Sequence, residues 1–111
     1  MRILITVPPL IYREALAAAV HQHRPDLEVR IAPPEDVEEE MGRLSPHLLV
    51  HNETDGLDPA LLSPLLGWIE VLYSDTMDAK VCSDGQVSEV RDISIADLLT
   101  IVDDVEAAIR P

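Results

Sequence analysis

The chain has no phenylalanine, one tryptophan and two tyrosines, so aromatics are 3% of its 111 residues. Its core must therefore be filled by Leu, Val, Ile and Ala. Cys82 is the single cysteine, which excludes an internal disulfide and a multi-cysteine metal cluster. There are four glycines, and neither G-x-G-x-x-G nor a P-loop occurs, so the usual glycine-rich phosphate cradles are missing. Positive charge is scarce: 8 basic residues stand against 21 acidic ones, a formal charge of −13. A surface this negative repels phosphate backbones and anionic lipids, so nucleic acid and membranes are not expected partners. No apolar run approaches the roughly 18 residues of a membrane-spanning helix. The opening "MRILITVPPL" meets prolines too soon for a signal peptide, so the cytoplasm is the expected compartment. The sequon at Asn52 to Thr54 would then go unmodified.

Hydrophobic residues are 47% and charged residues 26%, a globular mixture. The length suits one domain, 1–111, that buries roughly two-thirds of its unfolded surface. The acidity serves either solubility, including in a salt-adapted host, or the selection of a basic or apolar partner patch. Patterning alternates strands with helices. "RILITV" (Arg2 to Val7) is a β-branched run fit for a strand buried on both faces. "PLIYREALAAAVHQHRP" is an amphipathic helix with Ile11, Ala15, Ala18 and Ala19 at helical spacing and Tyr12, Leu16 and Val20 beside them. "LEVRIA" (Leu27 to Ala32) reads as the second strand. Val37, Met41 and Leu44 then mark a second helix, with Glu35 and Asp36 at its positive end.

"HLLVHN" (His47 to Asn52) is the third strand. "DGLDPALLSPLLG" reads as a short helix with Leu57, Leu61, Leu62, Leu65 and Leu66 on one face, and "WIEVLYS" (Trp68 to Ser74) as the fourth strand. Two strand-like runs flank "DG" at 84–85, a hairpin signal. Only Asp75 to Asp78 precede the first of them, too few for a parallel return. Lys80 to Ser83 should therefore run antiparallel, and Gln86 to Arg91 parallel to the fourth strand. Ser94 and Asp97 form a near capping box. They open a last helix with Ile95, Leu98, Leu99, Val102, Val105 and Ile109 as its stripe.

These stretches, in order, resemble a response-regulator receiver domain. "RILITVPPLIYREAL" is similar to the family's opening, where a strand ends in an acid pair and a helix begins near "VREGL". "RLSPHLLVHNETDG" resembles "RPDLVLLDIxMPG", "VLYS" resembles "VLTA", and "EVRDISIADLL" resembles "LLKDISPEELL". The resemblance implies a flavodoxin-like, doubly wound, mainly parallel five-stranded sheet of order 2-1-3-4-5. An extra β-hairpin strand would replace the helix between the fourth and fifth strands.

A receiver transfers a phosphoryl group to an Asp ending its third strand. An acid pair holds Mg²⁺, a Lys pairs with the phosphoryl group, and a Thr or Ser hydroxyl moves to meet it. Ungapped alignment puts Val7 and Pro8 on the acid pair, Asn52 on the acceptor, Tyr73 on the hydroxyl switch and Arg91 on the Lys. All five positions have changed: Val7 and Pro8 cannot bind a hard cation, and the Asn52 amide is not a carboxylate nucleophile. A register shift of one to three would bring Glu53 or Asp55 to the acceptor position.

The expectation is thus a non-enzymatic, phosphorylation-independent receiver-like module that acts by protein contact, with no cofactor and no metal. Its partner would be a kinase, an intact receiver, a transcription regulator or a second copy. Lys80, Val81, Cys82, Gln86, Val87, Leu98 and Val102 are the expected interface. A ribbon edge there either adds to another sheet or is protected by Lys80, Asp84 and Glu89. The alternative is an anion sensor or cryptic enzyme whose pocket is His51, Asn52, Tyr73 and Arg91 at the strand ends. His21 and His23 read as surface residues, and His47 and His51 as strand residues satisfied by hydrogen bonds. Cys82 has no neighbouring His to activate it.

Overall fold

The computed structural model of the chain describes residues 1–52, 59–62, 64–72, 78–83 and 85–109. Among these run β1 (Arg2–Ile5), α1 (Leu10–His23), β2 (Glu28–Ile31), α2 (Val37–Leu44) and β3 (Leu48–Asn52). They are followed by β4 (Gly67–Leu72), β5 (Asp78–Ser83), β6 (Gln86–Val90) and α3 (Ile95–Ile109). Short 3-10 turns occupy Pro34–Asp36 and Pro59–Leu62. The second stands where the sequence suggests a short helix between β3 and β4, and Leu57 lies outside the described residues.

The strands form one sheet of order β2-β1-β3-β4-β5-β6. β2, β1, β3 and β4 are parallel neighbours. β5 runs antiparallel to β4, and β6 antiparallel to β5. This corrects the expected five-stranded, mainly parallel, doubly wound sheet: the sheet is mixed and has six strands. The cause lies in the connections. Residues 73–77 separate β4 from β5, too few for a crossover that would return the chain in the parallel sense. β5 therefore takes the place beside β4, and β6 folds back on β5 with Ser83 opposite Gln86. Gln86–Val90 does run in the direction of β4, but one strand further out than a receiver's fifth strand. Gly85 in the hairpin turn has φ +78°, a conformation glycine adopts without steric cost.

Side-chain alternation sends successive strand residues to opposite faces. On one face Ile3, Ile5, Leu48, Val50, Ile69, Val71, Ala79 and Val81 pack against Leu16 and Val20 of α1 and Leu98, Ile101, Val102 and Val105 of α3. On the other, Leu4 and Leu49 pack against Val37, Met41 and Leu44 of α2, flanked by Leu61, Leu62, Leu65 and Trp68. The α2 stripe is the one its spacing predicts. The α1 stripe is not: Ile11 is 78% exposed and Ala15 and Ala18 are exposed, while Leu16 and Val20 are buried. Burying a branched side chain removes more apolar area from water than burying a methyl. In α3, Ile101 joins the buried set, and Ile95 and Ile109 lie at its exposed ends.

Two polar fixtures hold the layers. Arg24, which caps the end of α1, makes a two-pronged ion pair with Asp103 of α3, both arms 2.7 Å. The hydrogen bond from Arg24 holds the Asp103 carboxyl below its usual range. At the amino edge of the sheet, the Arg2 backbone N–H donates to His47 Nδ1 at 2.9 Å, and the Arg2 side chain donates to the Ser45 carbonyl. Burial, aided by the Arg2 charge and the amino terminus, pushes the His47 pKa below its ordinary value.

Candidate functional site at the carboxyl ends of the parallel strands

Parallel α/β sheets present ligands at the carboxyl ends of their strands. Here the Thr6 N–H donates to the Val50 carbonyl at 2.8 Å, which continues the β1 and β3 pairing past Ile5. Thr6, Val7 and Asn52 are all buried. Pro8 follows, and the Pro8–Pro9 peptide is cis. The Pro9 carbonyl accepts the backbone N–H groups of Tyr12 and Arg13, starting α1. Val7 and Pro8 thus follow the end of β1, whose neighbour β3 ends at Asn52.

Among the described site residues, Arg91 and His51 are not assembled with them. Tyr73, Glu53, Asp55 and Asp84 lie outside the described residues. Asn52 is in register with Val71, Val71 with Ala79, and Ala79 with Val90. Arg91 thus follows a strand three places away from Asn52, roughly 14 Å at the usual interstrand spacing, and it is exposed. The inserted strand β5 is the reason. His51 adjoins Asn52 in sequence but projects to the opposite face, where its ring meets Trp68 edge-on at 6.3 Å. A pocket combining His51, Asn52 and Arg91 does not form.

The expected interface also divides. Val81, Leu98 and Val102 are core residues, because alternation in β5 and the helical repeat in α3 aim them at each other's layer. Cys82 is a free, half-buried cysteine. Lys80, Gln86 and Val87 are exposed, Val87 by 61%. They lie on or beside β6, an edge strand paired only with β5 among the described residues.

Two residues that the sequence reading did not select stand out. Arg13, in the first turn of α1, is 7% exposed, and its Nε has no hydrogen-bond partner among the described residues. Its spacing of three from Leu16 and seven from Val20 was the available signal, masked by its charge. Tyr12 is the second. It lines an apolar cleft of about 220 Å³ between the sheet and the starts of α1 and α3. Burial raises its phenol pKa.

The residues at the ends of β1 and β3 do not fit a hard divalent cation, which needs clustered oxygen ligands. Val7 and Pro8 have no side-chain donor atom, and Asn52 supplies at most one neutral oxygen. Among the described residues no group of three His, Cys, Asp or Glu side chains could hold a metal ion. No described helix is long and apolar enough to cross a membrane. The chain matches no protein-family model, no curated protein and no solved structure.

Proposed function

We propose that this chain is a non-enzymatic regulatory module of receiver-like descent, which works by contact with a protein partner and without phosphorylation. The observation that carries the reading is that the buried residue just past the end of β1 is Val7 and the buried residue ending the neighbouring β3 is Asn52. A receiver's chemistry needs carboxylates at both places. An amide cannot attack a phosphodonor as a carboxylate does, and an apolar neighbour leaves the phosphoryl charge without a counter-ion.

The contact surface in this reading is β6. Alternate backbone donors and acceptors on its outer side can pair with an added strand. Val87 supplies exposed apolar area beside them. The charge of −13 favours a basic or apolar partner strand over an acidic one. A kinase, an intact receiver, a transcription regulator or a second copy are the partner classes that the receiver resemblance supplies, with the cytoplasm as the compartment.

The test is an amide NMR titration of the labelled chain with Mg²⁺ and then beryllofluoride, a mimic of aspartyl phosphate. The expected result is no movement at Val7, Thr6 or Asn52. Shifts clustered there, or label from a phosphodonor mapped to an Asp, would overturn the reading.

A further inference from the structure

We propose that the cleft between the first turns of α1 and α3 is a binding site for a small, uncharged, single-ring aromatic molecule. The proposal goes beyond the protein-contact reading and does not depend on it. The floor of the cleft is Val50 of β3 with Ile69 and Val71 of β4. Tyr12 and Leu16 form one wall, and Ile93, Ser94, Ile95 and Leu98 form the other.

Size and lining select the ligand class. An apolar cavity of about 150 Å³ stays dry and takes one benzene ring, whereas pockets for drug-sized ligands begin near 300 Å³. The cleft, at about 220 Å³, fits a ring with a short substituent and is too small for a nucleotide. Natural interiors leave few voids larger than a water molecule, and this chain has no phenylalanine with which to fill one.

The polar groups of the cleft narrow the chemistry. Ser94 is occupied: its hydroxyl donates to Asp97 Oδ2 at 3.0 Å and accepts the Asp97 N–H at 3.1 Å. Tyr12 makes no side-chain hydrogen bond among the described residues. A tyrosine phenol is neutral at pH 7 and can donate one hydrogen bond, and burial shifts this one further in that direction. Among the described residues no cationic side chain lines the cleft, and the Asp97 carboxylate is hydrogen-bonded to Ser94 on its wall. An anion would be repelled there, and an uncharged ring bearing one acceptor suits both the walls and Tyr12.

The full-length, isotope-labelled chain is titrated with acetophenone, followed by amide NMR, with benzoate as the charged counterpart. Acetophenone should give saturable shifts at Tyr12, Val50, Val71, Ile93 and Leu98, with a millimolar or tighter dissociation constant, as befits a fragment of this size. Tyr12→Phe should keep the fold and weaken binding about fivefold, the range of one hydrogen bond. Val71→Phe, which fills the cleft, should abolish the shifts. Three results would each overturn the proposal. One is the absence of saturable shifts in folded wild-type protein. Another is shifts that map elsewhere. The third is benzoate binding as tightly as acetophenone. Because Tyr12→Phe removes only a hydroxyl, unaltered affinity in that variant would overturn the role of Tyr12 even if Val71→Phe fails to fold.

Discussion

A side-chain N–H withdrawn from water without a hydrogen-bond partner costs free energy. Arg13 is in that position: it shares the buried side of α1 with Leu16 and Val20, and its Nε has no partner among the described residues. Methionine reaches as far as the Nε position, keeps the helix propensity and has no polar N–H to desolvate there. Arg13→Met should therefore raise stability, by about 1 kcal/mol or more. Urea denaturation followed by circular dichroism measures it, and a lower midpoint would show that the guanidinium does useful work where it stands. Locally only its spacing from Leu16 and Val20 distinguishes Arg13 from a solvated helical arginine, and its charge argues the other way. Its burial comes from the way α1 settles on the sheet, and residues far away in the chain decide that.

At the scale of elements, α3 sits so close to β4 that one glycine decides the contact. A Cβ built on Gly67 would come within 2.8 Å of Val105 Cγ2 and 2.9 Å of the Cys82 carbonyl oxygen. The second neighbour is backbone of the adjoining strand, which cannot rotate away. Gly67→Ala should destabilise the domain by about 1–3 kcal/mol, the usual range for overpacking, and thermal unfolding reads it. The elements themselves were largely legible. Val37, Met41 and Leu44 fix the α2 face because only one helical face connects them. Ser94 and Asp97 form their reciprocal cap as the spacing suggests. The face of α1 was misread because a run of alanines gives almost no contrast between its sides. The hairpin was visible from its turn, but the strand beside which it packs was not: turn chemistry is local, and sheet order is not.

At the scale of the whole molecule, the sequence order carried four parallel strands correctly and lost the fold at the fifth. The receiver resemblance placed the last strand next to β4, and β5 took that position instead. The same displacement separates Arg91 from Asn52, so these two described members of the expected pocket do not meet. The cleft beneath Tyr12 was out of reach for a different reason. Its walls come from residues 12–16 and 93–98, eighty positions apart, and no spacing rule links them.

The change from parallel to antiparallel pairing at β4 also divides the chain in time. On the parallel side, contacts must wait for long loops to close: Arg2 and His47 are 45 positions apart. On the other side, β4, β5 and β6 pair through short connections, with Ser83 and Gln86 meeting across two residues. Loop closure slows folding as contacts become less local. The β4–β6 ribbon should therefore gain its hydrogen bonds first and serve as the template onto which β3, β1 and β2 are added in turn. In pulse-labelled hydrogen exchange during refolding, the amides of Ile69, Val71 and Val81 should be protected before those of Ile3 and Ile5. The reverse order would mean that the helices, rather than the ribbon, organise the sheet.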